Sequence, residues 1–413
     1  MRHVRMVGLC LVAVFAVSAA LAASALASEP PTVAKVEPTT VPTAPQAKGG
    51  GVTPLWIHGT GFAGNVTVKV GSQEAADVEV ISETEIEVRA PREAPEGEYE
   101  VVVEDENGVS SGGPQISYIP TEKPDVSWSK FKNCALHEEY EGNPAKHCDY
   151  AATRKDRGGF YTVGGITVPV TKSIVLQGGA TEEGAIPPVE EQYSGMEFIL
   201  PPEDGVPAIA PVPEKVPVEV LNNVSEAEMN EFGWPQNLRE SYKLAQKKHY
   251  FKANKTTETI ESAGSDPQYL STYNGLAEEG PEIIASVQIK GENPWLTLIG
   301  GSCLIGSEAE PVVQHLATGE SVSPLTGERI HGKGGFAGIY DEYQLAALQE
   351  TRLVDNTYAV PAATKCGGTT WERYLDPVVN KAFGLPAPAG ASTTVLEGAE
   401  YTAHPVEVEK RGL

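Results

Sequence analysis

The sequence predicts a mainly β protein: a small sandwich near the N-terminus, then a larger β-rich domain with a few short helices. Three observations carry this. Apolar residues alternate with polar ones in short runs, from Leu55-Trp56-Ile57 to Ile116 and Tyr118, which is the period-two pattern of strands with one buried face. Gly 42 and Pro 32 in 413 residues suit many turns between short strands. Helix signals are sparse, and the best helical window runs only from Asn237 to Tyr250.

Residues 1–27 have the three parts of an export signal. Arg2 and Arg5 are basic, Met6 to Ala22 runs apolar, and Ala25-Leu26-Ala27 offers a small-x-small cleavage site. Cleavage after Ala27 is expected; the rival is an uncleaved anchor, since about 20 apolar residues can span a bilayer. Removing this segment takes the formal net charge from −25 to −27 over 386 residues. So acidic a chain repels phosphate backbones, which argues against nucleic-acid partners. No second apolar run reaches membrane length, so the expected location is extracellular, secreted or at the cell surface.

Cys134, Cys148, Cys303 and Cys366 remain after cleavage. An even count in an exported chain reads as disulfides. Three pairings are open, and Cys134–Cys148 with Cys303–Cys366 is favoured because the close pair suits one local loop. Closing a loop of about 15 residues contributes about 3 kcal/mol in the chain-entropy model.

The sandwich occupies 31–119. Leu55 and Ile57 face one way; Gly59-Thr60-Gly61-Phe62 is a turn backed by a bulky apolar residue. Val66, Val68 and Val70 form the next strand, then Val78 with Val80, Ile86 with Val88, and Tyr99, Val101 and Val103. Asn107-Gly108 signals a hairpin. The opening Pro31 to Pro38, Gly50-Gly51-Val52-Thr53, Ile57-x-Gly59-x-Gly61-Phe62, Val70-Gly71-x-x-x-Ala75, Ser82-x-Thr84-x-Ile86 with Pro91, and Gly97 to Val103 with Asn107-Gly108-x-Ser110 together resemble the IPT/TIG family. The resemblance implies an immunoglobulin-like sandwich used as a spacer or interaction module. It transfers no site residues. The Pro-rich insert Val41 to Lys48 departs from the family pattern and lengthens the first loop.

Pro120 and Pro124 mark a linker at 120–127, before a β-rich disulfide-containing domain at 128–400 and a polar tail at 401–413. Expected strands are Phe160 to Val170 as a hairpin turning at Gly164-Gly165, Ser173 to Gly179, Val216 to Leu221, Ile283 to Ile289, Trp295 to Ile299, Pro311 to Leu316, Leu353 to Pro361 and Thr393 to Leu396. Expected helices follow the capping box Ser225-Glu226-Ala227-Glu228, occupy Asn237 to Tyr250, and run from an Asp376 N-cap through Pro377 to Gly384. Glu182 to Pro213 reads as loop. Phe131-x-Asn133-Cys134, Gly158-x-Phe160-x-x-Gly164, Leu176-Gln177-Gly178-Gly179, Gly301-Ser302-Cys303-x-Ile305-Gly306, Val354-Asp355-Asn356 and Cys366-Gly367-Gly368 resemble uncharacterised exported proteins of actinobacteria, a likeness that brings no activity.

A search for chemistry returns little. Cys134-x-x-His137 with His147-Cys148 has the ligand types for zinc, but irregular spacing in an exported chain favours a disulfide. Gly300-Gly301-Ser302-Cys303 lacks the Gly-x-Ser-x-Gly of a nucleophile elbow. His137-Glu138-Glu139 lacks a second zinc-protease His, and His315, His331 and His404 are scattered. Asp105-Glu106-Asn107 lacks the spacing of a calcium loop. Asp341, Glu342, Glu350 and Asp355 stand near Tyr340 and Tyr343, a mix that suits a sugar cleft or an acidic solvent face; Trp295 and Trp371 suit sugar stacking or, better, core. No catalytic, cofactor or metal residue is nominated. The expected function is a non-enzymatic binding or envelope protein, meeting a protein or carbohydrate at the cell envelope. The alternative is a secreted carbohydrate-active hydrolase with a carboxylate pair in the C-terminal domain.

Overall fold

The computed structural model describes residues 30–43, 53–91, 94–120, 126–133, 146–181, 197–200, 206–269, 283–340, 345–403 and 405–412. The chain is mainly β. The expected export signal, Cys134, His137, Asp341, Glu342, Tyr343 and His404 lie outside these residues.

Two sheets make the N-terminal sandwich. One has the order β1 (Thr32–Glu37), β3 (Pro54–Thr60), β7 (Glu85–Arg89), β6 (Ala76–Ser82). The other has β2 (Thr40–Pro42), β10 (Gln115–Ile119), β8 (Gly97–Asp105), β4 (Thr67–Val70), β5 (Gln73–Glu74), with β9 (Gly108–Val109) on β8. The alternating residues meet between them: Leu55 and Ile57 from β3, Ile86 and Val88 from β7, and Val101 and Val103 from β8 are all fully buried. Phe62 plugs the end at 2% exposure. Gly59 permits the β1–β3 contact, because a Cβ there would sit 1.9 Å from the Thr32 carbonyl oxygen and 2.6 Å from Phe62 Cζ.

The β-rich region has two larger sheets. The first runs β13 (Ile166–Pro169), β12 (Gly159–Val163), β28 (Thr394–Ala403), β11 (Lys146–Thr153), β14 (Val175–Thr181), β15 (Glu197–Leu200). To it β16 (Ile209–Ala210) adds on β14, and β26 (Leu345–Asp355) adds on β28 with β25 (Phe336–Tyr340) beside it. The second runs β17 (Pro213–Lys215), β18 (Thr257–Ser262), β20 (Ile283–Glu292), β21 (Cys303–Ile305), β27 (Ala363–Thr364), with β19 (Gln268–Tyr269) and β22 (Val312–Leu316) also on β20. A small hairpin, β23 (Glu320–Val322) with β24 (Arg329–His331), stands apart.

Five helices are described: α1 (Glu226–Glu231), α2 (Gln236–Lys247), α3 (Pro294–Ile299), α4 (Gly368–Phe383) and α5 (Pro405–Glu409). The Ser225 hydroxyl accepts from the Glu228 N–H while Glu228 accepts from the Ser225 N–H, a complete capping box. Trp234, Tyr242, Phe251 and Trp295 form an aromatic cluster with centroids 5.1–6.1 Å apart. Their polar ends are satisfied: Trp295 Nε1 donates to Ser241 Oγ at 3.0 Å and the Tyr242 hydroxyl to the Leu221 carbonyl at 2.7 Å.

Several expectations need correction. Trp295 to Ile299 is helix, not strand: Asn293 caps it, Pro294 opens it and left-handed Gly300 ends it. A short apolar run does not by itself distinguish helix from strand. Val216 to Leu221 is irregular, with its ends buried and Val218 exposed; the Val216 N–H bonds Thr256, then Pro217 offers no N–H and Leu221 turns at φ 62. Helix α4 begins at Gly368, so Pro377 is interior and Asp376 caps nothing; it accepts from the Cys366 N–H instead. Strand β26 ends at Asp355, short of Pro361. Within the expected loop Glu182 to Pro213, Glu197–Leu200 and Ile209–Ala210 pair with β14.

The polar tail is also corrected. Residues 401–403 finish β28, and α5 buries Val408 completely. Val408 joins Phe131, Cys148, Tyr150, Leu345 and Ala347 in a core on the outer face of the first sheet. Ser127, in the expected linker, donates its N–H to the Tyr150 hydroxyl. The first sheet is therefore covered on both faces: by this outer core and, within, by the second sheet.

Candidate functional site

Between the inner faces of the two large sheets lies a cavity of about 100 Å³. Alternation places its walls. On β20, Ile283, Ala285 and Val287 point in; β18 adds Ile260 and β22 adds Gln314 and Leu316. Opposite them stand Ala151 and Thr153 of β11, Leu176 of β14, Leu348, Thr351 and Leu353 of β26, and Leu396 and Glu400 of β28. Four of nineteen lining residues carry polar side chains: Thr153, Gln314, Thr351 and Glu400. So apolar a wall suits hydrocarbon rather than sugar.

Three of the four have partners inside the fold. Thr153 Oγ1 accepts from the Ile174 N–H at 2.9 Å, and Gln314 Nε2 donates to Thr394 Oγ1 at 2.8 Å. The Thr351 hydroxyl is buried without a hydrogen bond. Glu400 is hydrogen-bonded to Asp149, which is fully buried on β11. The register pairs Asp149 with Thr402 and Ala151 with Glu400, so the two acids are diagonal neighbours on the inner face. Burial first, then the Glu400 carboxyl, holds Asp149 well above the ordinary carboxyl range; the Thr402 hydroxyl, donating at 3.3 Å, offsets this in part. Two carboxyls joined by a hydrogen bond keep one proton between them.

A second buried acid stands elsewhere in the gap between the sheets. Glu258 of β18 is fully buried, and burial pushes it up to about 7, with Tyr161 of β12 opposing in part. Neither Glu258 oxygen nor the Tyr161 hydroxyl has a hydrogen bond of good geometry. The cross-strand neighbour Glu214 is fully used: it accepts from the Thr171 N–H, the Lys172 N–H and the Thr171 hydroxyl at 2.7–3.1 Å.

Residues singled out in the sequence fall away from this site. Glu350 pairs with Arg154 at 2.7 Å, near the surface. Asp355 is buried but holds the loop by accepting from the His315 N–H and from Thr357. His315 and His331 are exposed, Trp295 is core and Trp371 packs against that core. Asp105 accepts from the Ala63 and Asn107 N–H groups, a turn role. Cys303 and Cys366 form a disulfide. Cys148 is buried and disulfide-bonded, which removes it as a zinc ligand. Among the described residues, no group of three or more His, Cys, Asp or Glu could hold a metal, and no helix is long and apolar enough to cross a membrane.

Sequence reading missed Asp149, Glu400, Glu258 and Tyr161. Asp149 stands in Cys148-Asp149-Tyr150, where both faces of the strand are buried, so no alternation marks the acid as inward. With 56 acidic residues in the chain, type alone could not single out three.

The N-terminal geometry has a counterpart among known families. Residues 31–118 match the IPT/TIG domain. The two sheets, the Gly59–Phe62 packing and the final β8–β10 pairing are those of this IPT/TIG sandwich. No curated protein matches the chain. Among the solved structures matched at low similarity are three from Bacteroides. One is a candidate phosphatase of Bacteroides thetaiotaomicron, 14% identical, covering 76% of this chain and 55% of its own, with a TM-score of 0.17. Another is SGBP-B of the Bacteroides ovatus mixed-linkage glucan utilization locus, solved with a mixed-linkage heptasaccharide: 14% identical, covering 35% and 44%, TM-score 0.17. The third is an auxiliary nutrient binding protein of Bacteroides ovatus, 12% identical, covering 80% and 68%, TM-score 0.17. The chain spans about half the length of the first two. None superposes well enough to bear on fold or function, and none is actinobacterial.

Proposed function

We propose that this is an exported binding protein, in which the IPT/TIG domain is a spacer or interaction module and the β-rich region holds a small, mostly apolar ligand between its sheets. The cavity carries the reading. It is lined by Ile, Leu, Val and Ala from both sheets, and a water-filled gap would want more polar partners than its wall supplies. Export rests on the basic, apolar and small-x-small segments of residues 1–27.

The hydrolase alternative asks for two carboxyls about 5–10 Å apart. The pair at the cavity, Asp149 and Glu400, is instead in direct hydrogen bond, so it leaves no room for a sugar or a water between them.

Two experiments test the proposal. Fractionation of the native host into medium, wall, membrane and cytoplasm should place the protein outside the cytoplasm; a cytoplasmic pool alone overturns export. Calorimetry of the purified full chain with 3-methylbutanol, as an apolar probe, should show binding that Ala285→Leu removes by filling the cavity. Absence of binding, or binding untouched by that variant, overturns the cavity as ligand site.

A further inference from the structure

The chain carries −25 overall, yet one short stretch runs against it. Residues 239–255 hold Arg239, Lys243, Lys247, Lys248, Lys252 and Lys255 against a single acid, Glu240. They span most of α2 and the turns behind it. Three of these bases are matched nearby: Arg239 and Lys243 pair with Glu226 at 3.2 and 2.7 Å, and Lys252 with Glu219 at 2.6 Å. Lys247, Lys248 and Lys255 are exposed and have no ion pair among the described residues. The α2 dipole favours cations in its last turn, which covers Lys247 and Lys248, but Lys255 lies well past the helix end.

The turns fix where these ammoniums stand. His249 and Asn254 turn at φ 59 and 64, and Phe251 between them is fully buried. The Asn254 N–H donates to the Val216 carbonyl and Asn293 Nδ2 to the Tyr250 carbonyl, both at 2.8 Å. Lys248 lies over the Tyr250 ring, its Nζ 5.8 Å from the centroid.

The same stretch exposes hydrocarbon. Leu244 is 53% exposed, with Lys243 beside it and Lys247 and Lys248 one turn on. Val218, also exposed, precedes Glu219, the partner of Lys252. Leu298, exposed as well, stands one turn from Trp295, whose indole N–H donates to Ser241 of α2. Three of the seven large apolar side chains exposed among the described residues thus adjoin one basic stretch. Apolar groups set among lysines suit the boundary between phosphate headgroups and acyl chains.

We propose that α2 and the turns after it dock on an anionic lipid surface, with Lys247, Lys248 and Lys255 against headgroup phosphates and Leu244 in the interfacial layer. A lysine ammonium is a point charge on a flexible stem, so it meets phosphates without a fixed geometry. The chain's many acids oppose approach from a distance, but at physiological ionic strength exposed charges are screened beyond about 8 Å. Charge within the contact therefore decides binding. A soluble polyanion would meet the lysines equally well but offers Leu244 no apolar layer. No residue lining the inter-sheet cavity belongs to this surface, so the proposal does not depend on the cavity being a ligand site.

The test is cosedimentation of the chain from Ser28 onward, the expected export product, with lipid vesicles at physiological ionic strength. Vesicles of phosphatidylglycerol and phosphatidylcholine in equal parts should bind about tenfold more tightly than phosphatidylcholine alone. Reversing two charges, in Lys247→Glu with Lys248→Glu, should remove that preference, since each lysine near such a surface multiplies affinity about fivefold. Leu244→Ser should weaken binding about threefold, through lost apolar burial. If the double variant does not fold, Lys255→Glu, outside the helix, gives the same readout. Absence of vesicle binding overturns the proposal, as does a phosphatidylglycerol preference that survives the lysine variants. Binding that falls in the lysine variants, is unchanged in Leu244→Ser and is competed away by inorganic polyphosphate also overturns it, by making the partner a soluble polyanion.

Discussion

Tyr161 and Glu258 approach each other across the gap between the two large sheets, one from each, and neither side chain has a hydrogen bond of good geometry. The phenol is held above its ordinary range by burial first, and then by the negative charge of Glu258 and Glu214. The carboxyl is pushed up to about 7. A core that keeps such a pair is least strained when Glu258 is protonated.

The sign of the pH effect follows. The carboxyl is raised from 4.5 in the folded chain, so between about 4.5 and 7 the folded state binds more protons than the unfolded one. The resulting stability is fully present below 4.5 and is lost as pH rises through 7, on the order of 3 kcal/mol. Glu258→Gln should remove this loss. Denaturant midpoints measured from pH 4.5 to 8 should fall less in the variant; parallel curves would refute the assignment. Asp149 shifts in the same direction in both proteins, so the difference isolates Glu258.

Glu214 has the opposite role. It answers two backbone N–H groups and a hydroxyl in the Thr171-Lys172 turn. Glu214→Ala strands those donors and should cost about 3 kcal/mol. Glu214→Gln keeps one acceptor oxygen and should cost less. Chemical denaturation of both variants gives the comparison.

The Cys303–Cys366 bridge spans a sequence separation of 63 residues. In the chain-entropy model, closing that loop contributes about 4 kcal/mol. Replacing both cysteines by serine should lower stability by up to that amount. The bridge ties β21 to the start of α4, so the loss should appear in the β-rich region and leave the IPT/TIG sandwich intact, as hydrogen exchange would record.

Gly59→Ala tests the sandwich. Its Cβ would stand 1.9 Å from the Thr32 carbonyl oxygen, so β1 must move off β3. Overpacking of this kind costs about 1–3 kcal/mol. Exchange protection should fall along β1 and β3 first. Unchanged protection there would show that β1 shifts freely.

Some of this was legible early. Period-two alternation in Leu55 to Tyr118 marked the sandwich because its strands have one wet face and one dry face. Gly164-Gly165 marked the β12–β13 turn, and Gly164 takes φ 57 there. The Ser225 capping box is a local device and formed where its residues stood. Signals of this kind depend on neighbours in sequence, which is why they survive without knowledge of the fold.

The candidate site depends on neighbours in space. Asp149 and Glu400 are 251 positions apart in number and meet only because β11 lies beside β28. Their strands are covered on both faces, so burial erased the alternation that would have marked them. The bulge at Glu350, an extra residue in β26 that turns Thr351 inward, exists only against β28. By itself the sequence determined a mainly β chain, a sandwich at its start and a turn or cap wherever glycine, proline or serine imposed one. Which acids are buried, and what they surround, was decided by the tertiary structure, because desolvation is a property of the packed sheets and not of the residue.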